Sequence, residues 1–293
     1  MKNLLLNSGN YFDKFFNAKN VRKIELLILR VAVFAFLFHL IVIFLGNNFI
    51  YFKNLQHSYL KAIYTPFSFI LFYEVFLLVI IIPKSISEFI GKQFEVITLI
   101  TLRSFFHDIA DLDLKNSINI NNPEFISLLY DLMASLIMLG LTILYYKIYQ
   151  NNRKSEIINE LNDFINIKKL VSLSMILILF LLSISSLFLW GTEMLEALRV
   201  QQNYPNPNTV FYTDFFSIMI FVDVLLLLIS FTFHFSFFTI FRNASFIITT
   251  ILMRMSLTIE KPMNYILILI GFLFSIISFY LYSLRNSNKS SLE

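Results

Sequence analysis

The chain has 293 residues, of which 57% are hydrophobic and only 14% are charged, and its mean hydropathy is +0.72. A soluble domain is typically about 45–50% apolar and about 25% charged, so this composition excludes a water-exposed globular enzyme and predicts an all-α polytopic membrane protein. The chain contains no cysteine, which excludes disulfides, thiolate metal sites and cysteine catalysis. The net charge of +4 fits loop lysines that face anionic lipid and does not indicate nucleic-acid binding.

The N-terminal stretch, residues 1–25, is predicted to lie at the membrane interface. The apolar core of a secretory signal spans about 7–15 residues, whereas here it ends after Leu4-Leu5-Leu6. The stretch Asn10–Phe16 combines aromatic side chains with one acid and one lysine, which is typical of an interfacial segment with aromatic anchors.

Six apolar segments are long enough to cross about 30 Å of hydrocarbon as helices. They are Leu26–Gly46, Ala62–Ile82, Glu124–Tyr146, Leu170–Trp190, Phe215–Ile240 and Pro262–Leu284.

Two further apolar segments, Phe94–Leu112 and Ala244–Glu260, carry Arg103 and Arg254 near their middles. On insertion scales, the apolar side chains of each segment sum to about −4 kcal/mol, and a central arginine costs about 2.5–3.5 kcal/mol. Each segment is therefore marginal as a span on its own, and the distribution of basic residues has to decide the topology.

Lysine and arginine concentrate in the cytoplasmic loops of membrane proteins. Six spans with a cytoplasmic N-terminus place 12 basic residues inside and 10 outside, whereas eight spans place 15 inside and 5 outside. We therefore predict about eight transmembrane helices, six clear and two arginine-containing, with both termini in the cytoplasm. We expect the membrane to be a bacterial inner membrane. The alternative keeps six spans and makes the two arginine segments re-entrant or interfacial.

This topology divides the chain into two transmembrane halves joined by a short cytoplasmic linker. The predicted regions are the interfacial segment 1–25, the first half 26–146, the linker 147–169, the second half 170–284, and a C-terminal tail 285–293 whose last three residues resemble a cloning remnant.

The two arginine segments are similar in sequence, since Ile97–Arg103 aligns with Ile248–Arg254. Each follows a span that contains an acid, Glu74 or Asp223, as an internal 4+4 repeat predicts. Apolar sequences also match one another by chance, and that alternative stays open. With six spans, the repeat would instead be inverted.

Ionisable side chains inside a membrane are costly, face the bundle interior and usually pair. We expect Glu74 to pair with Arg103 and Asp223 to pair with Arg254, one pair in each half. These four residues are the predicted permeation or coupling site. The alternative is that the pairs only hold helices together.

Two histidines, His39 and His234, fall within predicted spans and are secondary candidates for the permeation or coupling site. Near the end of the first arginine segment, His107 and Asp111 share one helix face, and Asp108 adds a further acid. We expect Asp108 and Asp111 to line an outer vestibule that attracts cations, with a solvated helix end as the alternative. We expect no resident metal and no cofactor.

The chain carries no catalytic signature such as HExxH, GxSxG or a glycine-rich phosphate loop, so we do not expect an enzyme. We predict an ion channel or an ion-coupled transporter whose partners are the lipid bilayer and a small ion, and which forms a homo-oligomer or joins a membrane complex. The alternative is a non-conducting anchor or scaffold subunit that docks a partner protein through the 147–169 linker.

Overall fold

The computed structural model describes residues 2–48, 59–111, 123–157, 162–200, 209–233 and 236–290. Within these ranges the chain is helical apart from turns and contains no strand. The described helices are α1 (Lys2–Phe15), α2 (Ala18–Asn48), α3 (Tyr64–Ile80), α4 (Ile86–Asp111), α5 (Pro123–Ile157), α6 (Asn162–Val200), α7 (Thr209–Phe233), α8 (Phe237–Ser256) and α9 (Met263–Ser290), with a short 3₁₀ helix at Tyr59–Ile63 before α3.

Five of these helices are long and apolar enough to cross a membrane, judged by length and composition. Many of their large apolar side chains face outward, such as Phe34 in α2 and Phe221 in α7, which are 72% and 76% exposed. An apolar exterior suits hydrocarbon tails, which are as apolar as these side chains, so the five helices indicate an integral membrane protein. Their apolar stretches are Ala18–Leu45, Phe125–Gln150, Phe164–Ser185, Asp214–Thr232 and Met263–Arg285.

The predicted fifth span, Phe215–Ile240, is wrong at its C-terminal end. α7 ends at Phe233, Ser236 has extended backbone angles (φ −76°, ψ 122°), and α8 begins at Phe237. The apolar pattern does not show this break, because the sequence is equally rich in phenylalanine on both sides of it. The second arginine helix consequently starts seven residues earlier than predicted.

Two further boundaries differ from the sequence-based prediction. α4 begins at Ile86, eight residues before the predicted first arginine segment. The predicted linker, 147–169, is mostly helical, because α5 continues to Ile157 and α6 starts at Asn162. The polar side chains of these helix extensions do not end the helices. Helix ends depend on hydrogen-bond partners for the terminal backbone groups and on packing, as well as on hydropathy.

Seven of the described helices pack side by side in a closed ring. In order around the ring, the helices are α3, α4, α5, α9, α8, α7 and α6, and α6 in turn contacts α3. α4 and α8 also contact each other across the ring, while α2 packs on α3 and α1 packs on α6. The ring therefore brings α4 close to α7 and α8, which lie more than 90 residues further along the sequence.

An aromatic cluster joins α4 and α5 to α9. Phe94 and Phe272 stack with ring centroids 3.8 Å apart, and the rings of Tyr145 and Phe279 lie 5.5 Å apart. All four side chains are fully buried. Because an aromatic pair contributes about 0.5–1.5 kcal/mol beyond the burial of its area, this cluster fixes the first half of the chain against the second.

α1 is an amphipathic helix that packs on the first part of α6. Phe12 is buried, and Asp13 forms an ion pair of 2.6 Å with Lys169. Tyr11 and Phe15 are 60% and 59% exposed. They are four residues apart and hence lie on one helix face. Exposed aromatic side chains are what an interfacial helix presents to lipid, and the interfacial location of residues 1–25 stays a prediction.

Candidate functional site

Asp223 of α7 and Arg254 of α8 form an ion pair in the interior of the ring. The distance from Arg254 Nη1 to Asp223 Oδ2 is 2.6 Å, and the two side chains are 2% and 0% exposed. Asp223 lies midway along the apolar stretch Asp214–Thr232. The structure thus brings together one of the two pairs that the sequence predicts, at the centre of a helix that is long enough to span the membrane.

A third helix contributes Gln93 to the same site. Arg254 Nη2 donates a hydrogen bond of 3.3 Å to Gln93 Oε1, and the side chains of Gln93 and Thr250 also lie beside the Asp223 carboxylate. Gln93 is 3% exposed. Sequence reasoning missed Gln93, because it is uncharged and lies in the part of α4 that was predicted to precede the span.

This arrangement is costly to build, which makes it a functional candidate. Removing two charges from water costs several kcal/mol per ion, and apolar side chains of similar volume often stabilise a protein equally well or better. A purely structural contact between α7 and α8 therefore does not need a carboxylate and a guanidinium. Together, Asp223, Arg254 and Gln93 can hold a charge and exchange a proton. Because they lie on three helices, a change in that charge alters the contacts between these helices.

The predicted pair between Glu74 and Arg103 is wrong. Glu74 instead forms an ion pair of 2.7 Å with Lys92, and Arg103 is buried elsewhere along α4. The tight turn between α3 and α4 sets this register, because Glu74 lies six residues before the end of α3 and Lys92 six residues after the start of α4. Arg103 is eleven residues further along, which is about 16 Å at 1.5 Å per residue.

Lys92 also joins a second carboxylate and, through it, α5. Its ammonium lies 2.7 Å from Glu95, and the Tyr146 hydroxyl donates a hydrogen bond of 2.7 Å to the same carboxylate. A Cβ atom on Gly91 would lie only 2.9 Å from the Tyr146 ring, so the glycine allows this close approach. The cluster holds two carboxylates and one ammonium, and it ties α3, α4 and α5 together.

Asp108, predicted to line an outer vestibule, is bound by a lysine. Lys261, in the turn between α8 and α9, lies 2.9 Å from Asp108 and 2.8 Å from Asp131. Ser127 donates a hydrogen bond of 2.7 Å to Asp108, and the Tyr265 hydroxyl donates to Asp131. Asp108 therefore holds helix ends together, and the side chain of the second predicted vestibule residue, Asp111, lies outside the described residues.

The two histidine candidates do not join the buried pair. His39 Nδ1 lies 2.6 Å from the Thr65 hydroxyl oxygen, a contact that joins α2 to α3 at the periphery of the ring. His234 lies outside the described residues. In the described part of the chain, no three His, Asp or Glu side chains are arranged to hold a metal ion.

The chain matches no family model, no curated protein and no solved structure.

Proposed function

We propose that the protein is an ion-coupled membrane transporter in which Asp223 is the carboxylate that binds the coupling ion and Arg254 is its counter-charge. One observation carries this proposal: the fully buried Asp223 carboxylate lies midway along an apolar helix, 2.6 Å from the buried guanidinium of Arg254, which lies in the last turn of α8. Ionisable groups at membrane depth mark ion pathways and proton relays.

The burial of the pair favours a transporter over an open channel. The Asp223 side chain has no exposed surface, so an ion reaches it either after the helices move or as a proton passed between hydrogen-bonding groups. A proton needs no coordination shell, which makes it the coupling ion that this site accommodates with the least rearrangement.

Protonation gives the site a way to move helices. A proton that binds a carboxylate oxygen of Asp223 removes its charge and weakens its attraction to Arg254. The guanidinium then keeps its hydrogen bond to Gln93 on α4, and the ion pair that joins it to α7 weakens. The site thus couples the charge of one carboxylate to the contact between α7 and α8, which is the kind of bistable element that transport requires.

Eight spans and a 4+4 repeat remain proposals, and the helix geometry supports them. α4 has 26 residues and α8 has 20, which correspond to about 39 Å and 30 Å at 1.5 Å per residue, enough to cross about 30 Å of hydrocarbon. The third and fourth helices of each half pack together, α4 on α5 and α8 on α9, and the halves meet through α4 with α8, α5 with α9 and α3 with α6. The first two of these three contacts join equivalent helices, as two related halves would.

A flux assay tests the proposed function. Purified protein is placed in liposomes, and internal pH is followed with a dye under an imposed proton gradient, alone and with pools of small ions and metabolites. We expect proton movement above that of empty liposomes and its loss in Asp223→Asn. Asp214→Asn makes the same chemical change at an exposed position of α7 and should keep the activity.

Either of two results would overturn the proposal: wild-type liposomes that behave like empty ones under every condition, or an Asp223→Asn variant that retains full flux. The first result would favour the scaffold alternative. α5 extends beyond its apolar stretch, which ends at Gln150, as far as Ile157, and this extension is the surface that a docked partner would contact. A homo-oligomer and a bacterial inner membrane stay predictions.

A further inference from the structure

Arg242 of α8 and Arg285 of α9 each stack on an aromatic ring of the opposite helix. The guanidinium carbon of Arg242 lies 4.4 Å from the centroid of the Tyr282 ring, and that of Arg285 lies 3.4 Å from the centroid of the Phe238 ring. On each helix the arginine and the ring are about one turn apart. The two antiparallel helices therefore hold their guanidiniums about one helical turn from each other.

The charges of these two arginines are not balanced by an acid of either helix. α8 and α9 contain no aspartate and no glutamate. The acceptor beside Arg242 is a neutral amide, since Arg242 Nη2 donates a hydrogen bond of 3.0 Å to Asn243 Oδ1. Two neighbouring cations on helices without acids attract an anion from outside these helices.

The arginine pair lies where the apolar exterior of the protein ends. Arg285 is exposed and is the last residue of the apolar stretch Met263–Arg285, so it lies at the depth at which a span leaves the hydrocarbon and meets the headgroups. Beside it on the exterior, Phe237 and Phe241 are 68% and 52% exposed. A lipid molecule at this position can contact the arginine with its headgroup and the two rings with its chains.

The pair belongs to the end of the bundle that holds the α3–α4 turn. One cavity is lined both by Asn243, which follows Arg242, and by Ile82 in that turn. The topology predicted from the sequence places this end in the cytoplasmic leaflet, which carries the anionic lipids and attracts basic side chains near the membrane surface.

We propose that Arg242 and Arg285 bind the phosphate group of an anionic phospholipid whose acyl chains cover Phe237 and Phe241. Stacking on a ring occupies the face of a guanidinium, whereas its N–H groups point outward in its plane and match the geometry of phosphate oxygens. The bound lipid bridges the start of α8 and the end of α9. A free phosphate ion offers the same oxygens but no chains, and the exposed rings favour the lipid. This inference does not depend on the proposed transport function.

Quenching of a single tryptophan by brominated lipids tests the site locally. Trp190 is the one tryptophan of the chain, so Trp190→Phe clears the background. Phe241→Trp then places a reporter next to Arg242. Phe221→Trp places a control reporter at an exposed position of α7, a helix without basic residues.

Each protein is reconstituted in mixed bilayers of phosphatidylglycerol and phosphatidylcholine, in which one lipid or the other carries brominated chains. We expect phosphatidylglycerol to bind beside the Phe241→Trp reporter several-fold more tightly than phosphatidylcholine, because only its headgroup has a net negative charge. At the Phe221→Trp reporter the two lipids should compete equally.

Three variants test the two arginines. Arg242→Gln/Arg285→Gln should abolish the preference for phosphatidylglycerol at the Phe241→Trp reporter. Arg22→Gln makes the same change at an exposed arginine that already pairs with Glu25, and it should leave the preference unchanged. A preference that survives in Arg242→Gln/Arg285→Gln would overturn the assignment of the site to these residues.

Equal quenching by the two brominated lipids at the Phe241→Trp reporter, with both arginines present, would overturn the proposal whether or not the arginine variants fold. Inorganic phosphate, compared with chloride at the same ionic strength, should leave the quenching by phosphatidylglycerol unchanged. Displacement of the lipid by inorganic phosphate would assign the arginine pair to a free ion and would overturn the lipid site.

Discussion

At the scale of single residues, burial separates the pair of Asp223 and Arg254 from the other ion pairs. Its side chains are 0% and 2% exposed, those of Glu74 and Lys92 are each 13% exposed, and Arg22 and Glu25 are 67% and 25% exposed. Coulombic attraction and the penalty for losing a partner both rise as water is excluded. We therefore expect the three pairs to respond very differently to the loss of one member.

Arg254→Leu should destabilise the protein by about 3–5 kcal/mol, the cost of leaving a buried charge without its partner. The double variant Asp223→Leu/Arg254→Leu should recover most of this loss, because it removes both charges. Arg22→Leu, at the exposed pair, should cost no more than about 1 kcal/mol. Thermal unfolding in detergent measures all three, and a double variant as unstable as Arg254→Leu would contradict this account of the pair.

A double-mutant cycle tests the corrected partner of Glu74. Glu74→Gln and Lys92→Met should show a coupling energy of about 0.5–3 kcal/mol, as residues in direct contact do. Glu74→Gln and Arg103→Met should be additive within about 0.5 kcal/mol, because their side chains do not meet. Strong coupling to Arg103 instead of Lys92 would mean that the α3–α4 register described above is wrong.

The sequence predicted some of the site and missed some of it for identifiable reasons. Charge alone found Asp223 and Arg254, since intramembrane ions seek partners. The partner of Glu74 depends on the register of a helix pair, which the length of the turn decides and hydropathy does not show. Gln93 was missed because it is uncharged and lies just before the predicted arginine segment.

At the scale of helices, length and apolarity predicted most elements, but they placed several helix ends incorrectly. The break between Phe233 and Phe237 falls in a segment in which phenylalanine alternates with threonine, histidine and serine. The early start of α4 depends on partners for its polar side chains, which only the packed bundle provides. Both differences reflect contacts between helices and not the preference of a single segment.

Two glycines in long helices should respond oppositely to alanine. A Cβ atom on Gly140 meets nothing within 4 Å, whereas one on Gly91 would meet the Tyr146 ring at 2.9 Å. Gly140→Ala should stabilise α5 by up to about 1 kcal/mol, the helix preference of alanine over glycine. Gly91→Ala should lose that gain because Tyr146 must move away from Glu95, and a higher melting temperature for Gly91→Ala than for Gly140→Ala would contradict the packing of α4 on α5.

The turn between α8 and α9 should depend on Lys261. Lys261→Met leaves Asp108 and Asp131 close together without their shared cation, so the turn should open and limited proteolysis there should become faster. Lys261→Met/Asp131→Asn removes the repulsion and should slow the cleavage again. Cleavage that is unchanged in Lys261→Met would show that this lysine does not hold the turn to α4 and α5.

At the scale of the whole molecule, the sequence predicts a helical membrane protein but not the order of helices around the ring. Adjacency of α5 and α9, or of α3 and α6, comes from shape and from contacts such as the rings of Tyr145 and Phe279 and the hydrogen bond from the Ser172 hydroxyl to the Val79 backbone oxygen. The spacing of apolar residues within one segment does not indicate which distant segment it will pack against. The ring nevertheless decides the function we propose, because it places Gln93 beside Asp223 and Arg254.

The measurement that tests this account most directly asks whether α8 crosses the membrane, as the topology proposed for the transport site requires. The chain has no cysteine, so single cysteines at Ser236 and Thr258, which are exposed at the two ends of α8, can be labelled with a membrane-impermeant thiol reagent from each side. Lys84→Cys, at the exposed position of the α3–α4 turn, gives a reference. We predict that Ser236→Cys reacts from the same side as Lys84→Cys and Thr258→Cys from the opposite side. Reaction of Ser236→Cys and Thr258→Cys from one side would show that α8 does not cross, and it would contradict the eight-span topology proposed for the transport site.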